Sequence, residues 1–234
     1  MDRRVPLAAR LVSASLLAAA LLSGCGSSSS SNGITSKSPT QIVAAARAAA
    51  DGAATVHVAG SVRSEGKPLV LDMELVKAKG GRGSITLQGV SINLVRVGGA
   101  VYINGSQAFY RRIAGPAAAK LLQGKWLKAP EKSGNFASLA SLTDLSKLID
   151  TTLANHGKLA RQGTKTVDGH KVVAVTDVSQ GGTLYVATVG PPFPIEIIKD
   201  GGSGGKITFD RWNKPVTLTA PANAININQL QNGR

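Results

Sequence analysis

The chain has 234 residues, 43% of them hydrophobic but only 4% aromatic, and its 27 lysines and arginines against 13 acidic residues give a formal net charge of +14. A single cysteine excludes an intramolecular disulfide, and three histidines without metal-ligand spacing offer no zinc site. So few aromatics supply no stacking platform for bases, and the basic residues are scattered, so no nucleic acid is expected as partner and anionic lipid headgroups are the better counter-charge.

The first elements are an address. Arg3, Arg4 and Arg10 precede the uncharged apolar run Leu11 to Leu22, which is too short for a stable membrane span and suits a cleavable signal peptide over residues 1–24. Leu22-Ser23-Gly24-Cys25 then reads as a lipobox. Small residues at 23 and 24 let the extended chain enter a peptidase cleft, and the Cys25 thiol takes the diacylglycerol. Several acyl chains (palmitate and the like), each contributing about 0.8 kcal/mol per buried methylene, anchor firmly. The expected location is the cell membrane, lipid-anchored on its extracytoplasmic face. Cleavage removes three arginines and one aspartate and leaves a mature charge of +12. Residues 25–38, Ser-rich and aperiodic, read as a lipidated cysteine plus a flexible linker. Residues 39–230 suit a single domain with a sizeable core.

Pro39 to Ala50 is a predicted helix, capped by Ser38, with proline at its first position and Gly52 at its end. The period then changes to two. Val56, Val58 and Val62 alternate with His57, Ala59 and Arg63; Leu69, Leu71, Met73 and Leu75 follow; Ile85 and Leu87 come after a predicted Gly80-Gly81 turn; Ile92 and Leu94 come after Gly89; and Gly98-Gly99 is a hairpin turn. Residues 54–112 therefore read as an antiparallel meander of five or six strands with one apolar face. Pro116 to Leu122 is a short helical piece. Phe136 to Asn155 is helical by its Leu and Ile spacing, including Leu139, Leu142 and Leu145, with a new start allowed at Thr143-Asp144. Strands return at 159–167, 171–178, 183–188, 195–199 and 206–212, with a turn at Asp168-Gly169 and a flexible loop at 201–205.

That order is α+β: a large curled antiparallel sheet, a half-barrel, with helices covering its concave face and an apolar cavity beneath them. The candidate cavity residues are Val56, Val58, Val62, Leu69, Leu71, Met73, Leu75, Ile85, Leu87, Ile92, Leu94, Leu142 and Leu145. Small aliphatics fill a wide concavity poorly; a filled core is the competing reading.

Val101-Tyr102-Ile103, Gly124-Lys125-Trp126-Leu127-Lys128 and Phe209-Asp210-Arg211-Trp212-Asn213-Lys214-Pro215-Val216, placed behind a lipobox and an Ala-rich helix, resemble the LppX/LprG-type lipoproteins of mycobacteria and relatives over roughly residues 39–222. More distantly the layout is similar to LolA-type carriers. The resemblance implies a half-barrel with a hydrophobic cavity that binds acylated lipid or glycolipid and moves it within the envelope, with an envelope transporter as a conceivable partner.

Catalytic chemistry is sparse. Asp72 and Glu74 share the face opposite Leu71 and Met73 and read as polar exterior; no Gly-x-Ser-x-Gly elbow occurs; and the 201–205 glycines do not lead into a helix or end in Lys-Ser/Thr. Trp126 and Trp212 read as core anchors more than as a cavity rim. No cofactor and no enzymatic activity are expected. The expectation is a membrane-anchored lipoprotein that carries acylated lipid. The alternative is a structural or sensory envelope lipoprotein with a filled core that binds another protein.

Overall fold

The computed structural model describes residues 30–64, 66–134, 136–199 and 204–231. The expected signal peptide and lipobox, with Cys25, lie outside the described residues, as does most of the 201–205 loop.

A first helix, α1 (Pro39–Gly52), begins at a capping box: the Ser38 side chain accepts from Gln41 N–H while the Gln41 side chain accepts from Ser38 N–H. The meander follows as β1 (Thr55–Ser64), β2 (Lys67–Val76), β3 (Gly80–Leu87), β4 (Val90–Val97) and β5 (Ala100–Gly105). Then come α2 (Gln107–Leu122), β6 (Leu127–Pro130), α3 (Phe136–Leu142) and α4 (Leu145–Ala154). The last stretch is β7 (Leu159–Val167), β8 (His170–Asp177), β9 (Thr183–Ala187), β10 (Pro194–Lys199), β11 (Gly205–Asp210), the short β12 (Ile225–Asn226) and α5 (Ile227–Gln231). All twelve strands form one open sheet in the order β12-β6-β5-β4-β3-β2-β1-β11-β10-β9-β8-β7. Every pairing is antiparallel except β12 on β6. The chain thus closes the middle of its sheet by bringing β11 back onto β1, with Val58 opposite Phe209.

Several expectations need correction. Gly80 and Gly81 are not the β2–β3 turn; Lys77 to Lys79 make it, with Ala78 at φ 57°. The glycines are needed inside β3 for close approach, because a Cβ on Gly81 would sit 2.7 Å from Leu75 Cδ2. The meander ends at Gly105, not at 112: Ser106 caps a helix by accepting from Phe109 N–H, and residues 107–112 have no alternation to hold a strand. Within the helical stretch Phe136–Asn155 the new start allowed at Thr143-Asp144 is used: α3 ends at Leu142 and Asp144 caps α4 by accepting from Lys147 N–H. Strands β6 and β12 were not foreseen. The linker expected to run to Ser38 is docked from Ser31 onward. Ser31 bridges to Val189, the Asn32 side-chain amide donates to Ala187 O (3.0 Å) and Gly190 O (2.8 Å), and Ile34 is buried.

The register defines two ends. Thr176, Thr183, Ile198, Lys206, Ser61, Val70, Thr86 and Ser91 lie on one continuous rung across seven pairings. Beyond that rung stand the β1–β2 and β3–β4 hairpins, the β8–β9 turn and both termini of α2. The chain enters at the opposite end, where Ser31 meets Val189.

Candidate functional site

Strand pairing places the predicted apolar residues of the meander on one face, in rungs. Val56 is opposite Leu75, which is opposite Gly81. The next rung is Phe209, Val58, Met73, Gly83, Leu94 and Ile103. A third is Ile207, Gly60, Leu71, Ile85, Ile92 and Gly105, and a fourth is Gly205, Val62, Leu69, Leu87 and Val90. Period-two alternation and unbroken antiparallel register produce this directly.

Burial falls along the rungs. Val56, Val58, Leu75, Leu94 and Met73 (3% exposed) are in the main core, under Ile42, Val43, Ala46 and Ala50 of α1 and Leu145, Ile149 and Leu153 of α4. The helices expected to lid the concavity were those of residues 116–155; α1 takes a large part of that role. Ile85 and Ile92 are also buried, but Leu69, Leu71 and Val62 are half-buried, and Leu87 (39%) and Leu142 (38%) are exposed. The inner half of the concavity is therefore filled, and the outer half is open.

Between sheet and lid remains an apolar gap of about 30 Å³, lined by Val58, Leu69, Leu71, Met73, Ile85, Leu142 and Leu148. It is the size of one water molecule's share of the liquid, whereas pockets for drug-sized ligands run about 300–1,000 Å³. Among the described residues the expected apolar cavity beneath the helices is not shown beyond this gap. Leu142 ends α3, a helix with no buried residue. On the other flank of α4 a second opening of about 160 Å³ has Val43, Leu153, Leu159, Val175, Leu184 and Ile197 as its apolar walls and His156, Gln180 and Lys199 among its polar residues. Asp177 also lines it and accepts backbone N–H bonds from Gly157 (2.7 Å), Ser179 (2.9 Å) and Gln180 (2.9 Å). Those donors, Gly157 first, hold its carboxyl below the usual carboxylate range.

Sequence reasoning left out the second half of this face: Leu148, Leu159, Val173, Val175, Leu184, Val186, Ile197, Ile207 and Phe209 all pack in or against the same core. Their alternation within residues 171–178 and 183–188 was the available signal; that they share a face with β1 rests on the β1–β11 pairing, which no local pattern reveals.

The convex face is polar, as Asp72 and Glu74 suggested. His57 sits between the carboxylates of Asp72 (3.0 Å) and Asp210 (2.5 Å), and Glu74 accepts from Arg82 (2.7 Å) and Arg211 (3.3 Å). Glu196 is buried and pairs with Lys206, whose ammonium that carboxylate holds above its usual value. Trp212 stacks on Phe193 at 4.5 Å and donates to Pro194 O, a packing role; Trp126 is half-buried beside the groove of Asp72, Arg82 and Asn93. Among the described residues no group of three or more His, Cys, Asp or Glu could hold a metal ion, and no helix is long and apolar enough to cross a membrane.

No family model and no curated protein matches the chain. Solved structures do. LprF from Mycobacterium bovis superposes with a TM-score of 0.55 at 16% identity, covering 79% of this chain and 97% of that one. The Mycobacterium tuberculosis lipoprotein LppX superposes with a TM-score of 0.50 at 19% identity, covering 78% of this chain and all of that one. At such identities the likeness is one of fold, and it extends over nearly the whole of both proteins: the chain has the half-barrel fold of LprF and LppX.

Proposed function

We propose that this chain is an exported lipoprotein, anchored through acylated Cys25 on the extracytoplasmic face of the cell membrane, that carries acylated lipid or glycolipid within the envelope. The supporting observation is the gradient along the concave rungs. Three half-buried residues, Val62, Leu69 and Leu71, lie beside exposed Leu87 and the apolar gap, under a helix that buries none of its own side chains. Apolar surface left half in water at the mouth of a filled core is a seat for hydrocarbon. In this reading the acyl chain enters between β1–β3 and the α3–α4 corner, pushing α3 outward and enlarging the gap. Its headgroup stays at the rim near lysine or arginine. The protein makes and breaks no bonds.

The filled inner half favours a second reading, a structural or sensory envelope lipoprotein that binds another protein. Native mass spectrometry of the mature chain, made with Cys25→Ser in a lipid-rich bacterial host, separates the two. A lipid-sized mass adduct, displaced by added acylated lipid, supports the carrier. A protein that is lipid-free on isolation and takes up no acylated lipid supports the structural reading.

A further inference from the structure

Helix α2 is two arms joined at Gly115, whose φ of 83° and ψ of 171° leave the helical region just before Pro116. Its inner side is fixed. The Tyr110 hydroxyl accepts from Gly105 N–H (3.0 Å) and donates to Lys125 O (2.8 Å), and Tyr110, Ala119, Leu122 and Leu127 form a small core of their own. Its outer side is unusual. Ile113 on the first arm is 55% exposed and Leu121 on the second 76%, the two most exposed large hydrophobic side chains among the described residues. Each is next to cations: Arg111 and Arg112 before Ile113, Lys120 before Leu121, Lys125 just beyond. No acidic residue occurs anywhere from Gln107 to Lys125.

Position adds a second argument. Both termini of α2 lie at the open end of the sheet: Ser106 N–H donates to Ser91 O (2.9 Å), and Lys125 adjoins the start of β6. Exposed Leu87 and Val178 end strands or turns at that same end, and Phe109 of α2 packs over Gly105 on the third concave rung. A singly exposed Ile or Leu is ordinary on a solvated surface, but here the two most exposed ones stand on one helix among cations with no acidic residue. They suit an anionic bilayer, where cations meet phosphates and the two apolar side chains enter below the headgroups.

We infer that α2 is a membrane-docking element: the open end of the half-barrel seats on an anionic phospholipid surface through Ile113 and Leu121, steered by Arg111, Arg112, Lys120 and Lys125. The inference extends the lipid-carrier reading by supplying the step at which mouth and membrane meet, but surface binding is measured without any bound ligand.

The test uses the mature chain with Cys25→Ser, which has no acyl anchor. The probes are vesicles of phosphatidylglycerol and phosphatidylcholine in about equal parts, or of phosphatidylcholine alone. The chain should sediment with the anionic vesicles, come off as salt is raised, and bind the neutral ones at least about ten-fold more weakly. Arg111→Gln, Arg112→Gln and Lys120→Gln should each weaken anionic binding about five-fold, the equivalent of about 1 kcal/mol per cation at such a surface. Ile113→Ser combined with Leu121→Ser should abolish binding while the thermal midpoint stays as in the parent, since both side chains are exposed. Unchanged binding by the double variant, or equal binding to neutral vesicles, overturns the inference. So does a dimer, broken by the double variant, in a chain that ignores vesicles. Uptake of detergent-dispersed acylated lipid, read by native mass spectrometry on the same samples, keeps the two claims apart. Uptake without vesicle binding sinks the docking surface and leaves the carrier standing; vesicle binding without uptake does the reverse.

Discussion

Substituting tryptophan at two neighbouring positions of one strand separates a ligand seat from a packed core. Met73 and Leu71 are two apart on β2, face the same concavity and line the same gap of about 30 Å³. Met73 is 3% exposed beneath the lid, so a larger ring there has at most one water's worth of space to enter. Overpacking of that kind costs about 1–3 kcal/mol. At about 2–4 °C per kcal/mol for a domain of this size, Met73→Trp should lower the thermal midpoint by roughly 5 °C. Leu71 lies one rung nearer the mouth, half-buried, with Gly60 opposite on β1. Its ring can turn toward solvent, so Leu71→Trp should shift the midpoint by no more than about 2 °C, within the spread of ordinary exposed substitutions. It should nonetheless reduce binding of a fluorescent acyl-chain probe at least about ten-fold, because the ring occupies the entry between β1–β3 and the α3–α4 corner. Calorimetry and probe titration on both variants suffice. Normal probe binding by Leu71→Trp at a normal midpoint would falsify the seat assigned to the outer rungs.

Cys25→Ser should release the protein from membranes and remove the acyl adduct in mass spectrometry; unmodified wild-type protein that still partitions with membranes would contradict the anchor. Tyr110→Phe leaves Gly105 N–H and Lys125 C=O short of a buried partner and should lower unfolding free energy in urea by about 1–3 kcal/mol. Asp177, with its carboxyl held below its unfolded value, contributes stability that is present above about pH 4 and is lost as pH falls through its lower folded value. Asp177→Asn should thus destabilise the protein at pH 7 and progressively less towards pH 3; a constant difference across that range would remove the carboxylate from the account. Lengthening the tether by a dozen glycines and serines after Gly26 should speed lipid exchange between the acylated protein and the vesicle that holds it, an effect absent if the tether does not limit reach.

Much of the meander was legible because its signals are local. Alternation sets the face, and residues such as Gln88-Gly89 (φ 53° and 75°) and Gly98-Gly99 (φ 60° and 73°) supply the left-handed pairs that two-residue hairpins need. Ser38, Pro39 and Gln41 announce α1 with equal clarity. What escaped depends on distance. Four-residue β6 and two-residue β12 hold too few residues for a period; β6 exists because β5 offers an edge, and β12 because β6 does. The docking of residues 31–36 depends on Asn32 meeting carbonyls more than 150 positions away. Above all, whether a concave face is empty or filled is decided by how deeply α1 and α4 settle, a quantity of tertiary packing to which composition is blind. Leu87 and Leu142 show the consequence: their pattern is that of the core, but each stands at the rim where the lid stops.

The two ends of the half-barrel differ in the apolar surface they leave in water. Helix α1 runs between the two ends: Val43 lines the opening with Gly182 and Lys199 at the open end, while Lys77, in the β2–β3 turn at the other end, donates to Asp51 O. At the open end Leu87, Val178, Ile113 and Leu121 face water. Strands of ten residues, such as β1 and β2, span about 33 Å. Six Cα-to-Cα steps lead from Cys25 to Ser31 and reach at most about 20 Å when fully extended. An acyl anchor at Cys25 would therefore keep the end where Ser31 docks within reach of its own bilayer. In the carrier reading, an anchored closed end would present the open end, with its exposed apolar side chains and the cations of α2, to a second surface.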